Sequence, residues 1–424
     1  MLIQGFPPPE HGRVTLANWQ VPPYNRWAFS HMREIVPTQR IGRGVLPVSP
    51  LPKDPQPLGE VPVHRVSGGR GDLTAVLDDT YTDAVVIVHG GRVVFERYAG
   101  ETKPDTAHLL MSISKSVVGC VAGTLVDRGL LDPEQWVTDH VPELADGGYA
   151  GARVRDVLDM RSGVKFSEEY ADPAAEVRVM EQAMGWRPSS GLGVPGWTYA
   201  YLATLPAVRG HGGVFEYRSC ETDVLGWVCE RAAGIRMADL ISEFVWGPLG
   251  AELDAEITCD SVGTAIHDGG MCATPRDLAR FGLMLLADGE IAGRRVVPAG
   301  WLHESWTVDP QVREAFAASA SGPYLPGGWY RNQFWFMPRS YGDVLVGLGI
   351  YGQMLYVDPT TATVAVKLSS WPEAQSPAML HDTLRAFDAV GGMLAALPPG
   401  GPGRSGVPGV AAGLSRRGLG PSAR

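Results

Sequence analysis

Lysine is scarce in this chain. Of 36 basic residues in 424, five are lysines (Lys53, Lys103, Lys115, Lys165 and Lys367), and the remaining 36 − 5 = 31 are arginines. Arginine stays protonated at any working pH, whereas a desolvated lysine can give up its proton and act as a base. Cysteine is sparse too. The five (Cys120, Cys220, Cys229, Cys259, Cys272) are odd in number, sit mostly in apolar runs and contain no C-x-x-C. That excludes a disulfide framework and leads to the expectation of reduced core thiols in a cytoplasmic protein. No uninterrupted apolar run is long enough to span a bilayer, and Met1–Arg13 is proline-rich without an apolar core, so neither anchor nor signal peptide is expected. A net charge of −10 and a pI near 5.5 argue against nucleic acid or an anionic membrane as partner. The ten histidines form no H-E-x-x-H and no close pair, so no metal and no cofactor are expected.

What is present can bury a large core. With 45% hydrophobic residues, the chain should fold as one big domain or two subdomains. Residues 1–60, rich in Pro, Trp and Arg, read as an extended arm. Ala84–Val88 and Val93–Phe95 flank His89-Gly90-Gly91, a hairpin signature. His89-Gly90-Gly91 also has the look of an α/β-hydrolase oxyanion motif, but no G-x-S-x-G elbow accompanies it. A helix is expected over 112–131, ending at Gly129, and a second at Pro275–Leu286 with Thr274 as N-cap and Pro275 at the first turn. Strands are expected near Asp343–Val346, Gln353–Val357 and Thr363–Ser369, and a helix near Ala378–Leu397. The Gly/Pro/Ser/Arg-rich tail, 398–424, reads as disordered.

Within this frame, Ser112-Ile113-Ser114-Lys115 places a lysine three residues after a serine at a helix start. Positions i and i+3 share a face, so a candidate nucleophile and a candidate base can meet without help from the rest of the fold. The free N–H groups of that first turn also suit a developing oxyanion. Spacing alone is weak, since Ser162-Gly163-Val164-Lys165 repeats it in what reads as a loop after a helix. Tyr217, opening a polar loop before a helix, is either a phenol shared with Ser112 or a core-edge residue. Gly347-Leu348-Gly349 can bring backbone N–H groups close to a ligand, or is plain hairpin chemistry. His267 reads as a structural turn residue beside a site-facing Asp268, and Trp329, Tyr330, Phe334 and Trp335 as core or pocket wall.

Several segments together resemble the serine β-lactamase and penicillin-recognising superfamily, in its class C-like branch. These are Ser112–Lys115, Val154–Val164, Tyr217-Arg218-Ser219 and the run from Gly269 to Gly282. A closer resemblance is to the 6-aminohexanoate-dimer (nylon-oligomer) hydrolases, carried by Trp19–Phe29, Tyr170–Pro173, Glu221–Leu225 and Lys367–Pro372. The resemblance to the superfamily covers roughly residues 60–395. It implies an α/β fold in which an antiparallel sheet flanked by helices carries an inserted helical subdomain. The expected boundaries are the arm 1–60, an α/β subdomain from 61–125 and 255–397, a helical subdomain 126–254 and the tail.

By the same resemblance Ser112 is the nucleophile, Lys115 its base and Tyr217 the proton shuttle. The backbone N–H groups of Ser112 and Ile350 form the oxyanion hole, and Tyr170, Glu181 and Asp268 line the substrate site, with Glu181 drawing in an ammonium end. Lys115 must then be neutral, or share its proton with Tyr217. The implied activity is hydrolysis of linear amides through an acyl-enzyme. A carboxylesterase or a weakly catalytic penicillin-recognising protein on the same scaffold are the alternatives. A small-molecule amide or ester is the expected partner, with a homodimer admitted as an assembly. Tyr-Arg-Ser stands where the superfamily has Tyr-x-Asn, Gly347-Leu348-Gly349 where it has Lys/His-Thr-Gly, Tyr351 where a histidine is expected, and Glu221 where an asparagine is. The missing cation argues against β-lactams as substrates.

Overall fold

The computed structural model describes residues 2–191 and 193–396. The disordered tail expected at 398–424 lies outside the described residues. The apolar run Thr82–His89 is the strand that joins the two ends of the chain. It pairs with Arg92–Tyr98 on one side and with Thr363–Ser369 on the other. From there the sheet runs antiparallel through Gln353–Asp358, Asp343–Gly349 and Phe334–Pro338 to Trp329–Arg331, seven strands in all. Its strands read as continuous apolar runs because both faces are covered. Ala84, Val86 and Val88 belong to one core and Val85 and Ile87 to the other, as the period of two requires. Helix Pro275–Leu286 packs on the first face and Pro377–Ala396 on the second, giving the layered α/β body that was expected. The expected two-residue turn closes the first hairpin, with Gly90 and Gly91 at φ +54° and +77°.

Helix Ile113–Asp127 is buried along nearly its whole length, so its apolar residues surround it instead of forming a stripe. It has room because two positions lack a Cβ. One added at Gly119 would lie 2.5 Å from the Asn332 carbonyl oxygen, and one at Gly123 would lie 2.5 Å from the Trp301 ring. Helix Pro275–Leu286 starts as expected, Thr274 accepting from the Asp277 N–H.

Two expectations change. The strand expected at Asp343–Val346 continues through Gly349, so Gly347 and Gly349 are strand residues. The arm is more than a wrap: its Thr38–Ile41 is the edge strand of a second, four-stranded sheet, paired with Ala255–Thr258. All five cysteines are free and buried. Among the described residues no helix is long and apolar enough to cross a membrane.

Candidate active site

Ser112 sits at the N-terminus of helix Ile113–Asp127, one turn from Lys115, and the side chains meet: Lys115 Nζ lies 3.1 Å from Ser112 Oγ. Nζ also lies 3.1 Å from Ser219 Oγ and 2.7 Å from the Asp268 carbonyl oxygen. An ammonium has three protons and no acceptor capacity, so these three oxygens satisfy it. The Asp268 carboxylate stands 3.6 Å away, and the Tyr217 ring centroid 5.4 Å away. Tyr217 lines the same cavity wall as Ser112.

The acids around Lys115 set its charge state. Burial by itself disfavours an ammonium at Lys115, but Tyr217, Asp268, Glu168 and Asp223 outweigh it and hold the pKa above the ordinary lysine value. Lys115 therefore rests charged, not neutral. Burial raises Tyr217, and the ammonium beside it offsets part of that rise. Burial, with repulsion from Asp223, pushes Asp268 up to about 7 against the pull of Lys115.

The backbone reaches this geometry through two left-handed residues. Met111 (φ +49°) precedes Ser112 and Tyr351 (φ +61°) follows Ile350. Strained residues of this kind persist where the surroundings over-determine them. Gly349 lets the strand edge approach, since a Cβ there would lie 2.8 Å from the Leu110 carbonyl oxygen and 2.9 Å from Met111 Cβ. Ile350 and Ser112 accordingly line the same cavity.

A narrow crevice beside Ser112 brings Tyr170, Glu181, Asp268 and Ile350 together. Within it Glu181 is not a free acid. Its carboxylate accepts from Arg178 Nη1 at 3.0 and 2.9 Å, from Arg187 Nε and from Gln20 Nε2 at 3.1 Å, and it is 3% exposed. The expectation that it draws in an ammonium is thereby corrected, since two guanidinium groups already neutralise it. Tyr351, where a histidine was expected, turns its hydroxyl to Gln20 Oε1 at 3.3 Å and stays buried. The Tyr170 hydroxyl donates to Glu168 at 2.5 Å.

Ser162 and Lys165 do not meet. Ser162 is buried and bonded to Glu221, which burial raises to about 7, while Lys165 points outward to Glu176 at 3.1 Å. His267 is the turn residue that was expected, and its imidazole is buried there, 3.5 Å from Asp223 and 3.8 Å from Glu230. Asp223 Oδ1 accepts from the N–H groups of His267 and Asp268, fixing the segment whose carbonyl holds Lys115. Trp335 is pocket wall and packs on Tyr217 (centroids 4.8 Å apart), whereas Trp329, Tyr330 and Phe334 are core.

Glu168, Ser219, Gln20 and Arg178 belong to this neighbourhood and were not singled out from the sequence. Two of them had a signal: Ser219 stands where the superfamily has an asparagine, and Arg178 stands at i, i+3 from Glu181 on one helix. Gln20 and Glu181 are 161 positions apart, and no local pattern joins them.

The family model Beta-lactamase matches residues 73–389. The 6-aminohexanoate-dimer hydrolase of Paenarthrobacter ureafaciens is 41% identical over 397 residues, covering 91% of this chain and 97% of that protein. A solved structure from Bacillus anthracis, described provisionally as a 6-aminohexanoate-dimer hydrolase, superposes with a TM-score of 0.83 at 28% identity, covering 92% of this chain and 99% of that one. A D-stereospecific amidohydrolase from Streptomyces sp. shares the fold alone, with a TM-score of 0.55 at 18% identity over 73% of this chain and 98% of that one.

Proposed function

The chain belongs to the β-lactamase family, and from that premise we propose that it is a serine amidohydrolase that cleaves linear amide bonds of the 6-aminohexanoate-oligomer kind. In this reading Ser112 Oγ attacks the amide carbon and its proton passes to the Lys115–Tyr217 pair. The oxyanion lies between the N–H groups of Ser112 and Ile350. Collapse breaks the C–N bond while Tyr217 hands a proton to the leaving nitrogen, and water then hydrolyses the acyl-enzyme using the same pair. Because Lys115 rests charged, the pair must shed one proton before it can accept that of Ser112. The observation that carries the reading is the 3.1 Å approach of Lys115 Nζ to Ser112 Oγ on the wall of a cavity. We also infer work in the cytoplasm, which the five buried, unpaired thiols support.

The test compares two serines. Ser112→Ala should lower hydrolysis of a linear amide by about a thousandfold or more and abolish labelling by a fluorophosphonate. Ser162→Ala should keep labelling and turnover, losing only the stability that its bond to Glu221 supplies. Labelling that survives Ser112→Ala would overturn the assignment.

A further inference from the structure

The cavity that opens from Ser112 has a volume of about 760 Å³, within the range that holds drug-sized ligands. Its walls include Phe166, Leu325, Trp335, Leu348, Met354 and Leu380, and it is continuous with Ser112, Tyr217 and Ile350. The charged residues along it are Lys165, Arg209 and Arg218 against Glu168, Glu176 and Glu216, three of each sign. Every cation among them already faces a carboxylate. Lys165 pairs with Glu176, and Arg209 and Arg218 both pair with Glu216. Glu168 is used as well, accepting from the Tyr170 hydroxyl and the Ser219 N–H. Glu181, on the opposite side of Ser112, is held by Arg178 and Arg187.

A substrate carboxylate would therefore meet no idle cation, and an ammonium would meet only Glu168, whose oxygens already accept from Tyr170 and Ser219. A chain without charge would bury methylenes against the apolar wall. We infer that the wing of the substrate that enters this cavity is a long, uncharged, apolar chain: an alkyl or aryl-alkyl segment, or an internal stretch of an oligoamide. The inference rests on the hydrolase reading for its nucleophile, but its physical basis is the cavity.

The experiment uses linear amides lengthened from two to ten carbons on the acyl side in one series and on the amine side in another. Each is made with a methyl, an ammonium or a carboxylate terminus. In at least one methyl-ended series kcat/KM should rise by about two- to fourfold per buried methylene over several steps. A terminal charge should cancel that gain. Leu380→Asp, which sets a carboxylate on the cavity wall, should impose a penalty that grows with chain length, reaching tenfold or more on the longest chain. Alongside, binding of decanamide and of 6-aminohexanoate to Ser112→Ala is followed by tryptophan fluorescence, with decanamide expected to bind at least tenfold tighter. Turnover with flat chain-length series, or with charged termini as fast as neutral ones, overturns the inference and leaves the hydrolase reading standing. No turnover of any amide, with decanamide bound tightly, overturns the hydrolase reading and leaves the inference standing.

Discussion

Lys115 has three protons and three oxygen acceptors, so its proton affinity is set by the acids around it more than by its hydrogen bonds. Asp268 is the nearest carboxylate, and it helps to hold the ammonium. Asp268→Asn removes that anion, which lowers the lysine's pKa, because a like-placed negative charge favours the protonated form. The rising limb of kcat/KM, where the Lys115–Tyr217 pair sheds the proton it must lose before accepting that of Ser112, should then move toward lower pH. A limb that stays put, or moves to higher pH, would show that Asp268 does not govern the pair. Glu181 calls for a different experiment. Glu181→Gln leaves Arg178 buried with a weaker partner, so unfolding in urea should show a loss of about 3 kcal/mol. Hydrolysis of amine-ended and neutral substrates should fall together. A selective loss on amine-ended substrates would restore the ammonium role that the two arginines argue against.

At the scale of elements, the site depends on how closely helix Ile113–Asp127 approaches the turn at Asn332-Gln333. Both turn residues are left-handed, and Ser116 Oγ donates to the Gln333 carbonyl at 3.0 Å. Gln333 also accepts from Thr222 at 2.7 Å, linking this helix to Ser219–Ala233, which carries Ser219 toward Lys115. A methyl at position 119 would press on the Asn332 carbonyl at 2.5 Å, a backbone atom with nowhere to go. Gly119→Ala should cost about 2–3 kcal/mol in urea unfolding, despite the higher helix propensity of alanine. An unchanged midpoint would mean that the turn yields freely and does not set the helix's position.

Over the whole molecule, the seven-stranded sheet closes only when Thr363–Ser369 pairs with Thr82–His89, nearly three hundred residues apart. The strand edge at Gly349 is thereby held beside Ser112. That edge carries Leu348 where the superfamily has a hydroxyl next to a cation, and each cation lining the cavity already faces a carboxylate. A β-lactam's carboxylate would thus forgo a charge-assisted contact worth about 1.5–3 kcal/mol. Nitrocefin turnover should fall at least tenfold below that of the best linear amide or ester. A comparable rate would show that the cavity supplies a cation after all.

Sequence by itself determined the elements and the local chemistry. The Gly-Gly hairpin, the Thr274 cap with Pro275, and the i, i+3 approach of Ser112 and Lys115 are short-range consequences of turn geometry and helix pitch, legible wherever they occur. The motif order carried the α/β fold class as well. Only the tertiary structure decided the charge states and the true company of each acid. Arg178, Arg187 and Gln20 close on Glu181, Glu168 and Asp223 come up behind Lys115, and Met111 and Tyr351 are held left-handed. The physical reason is distance along the chain. Arg178 and Arg187 lie within six residues of Glu181, but whether such a pair is buried or solvated, and which distant groups such as Gln20 join it, depends on neighbours that the fold brings in from far away.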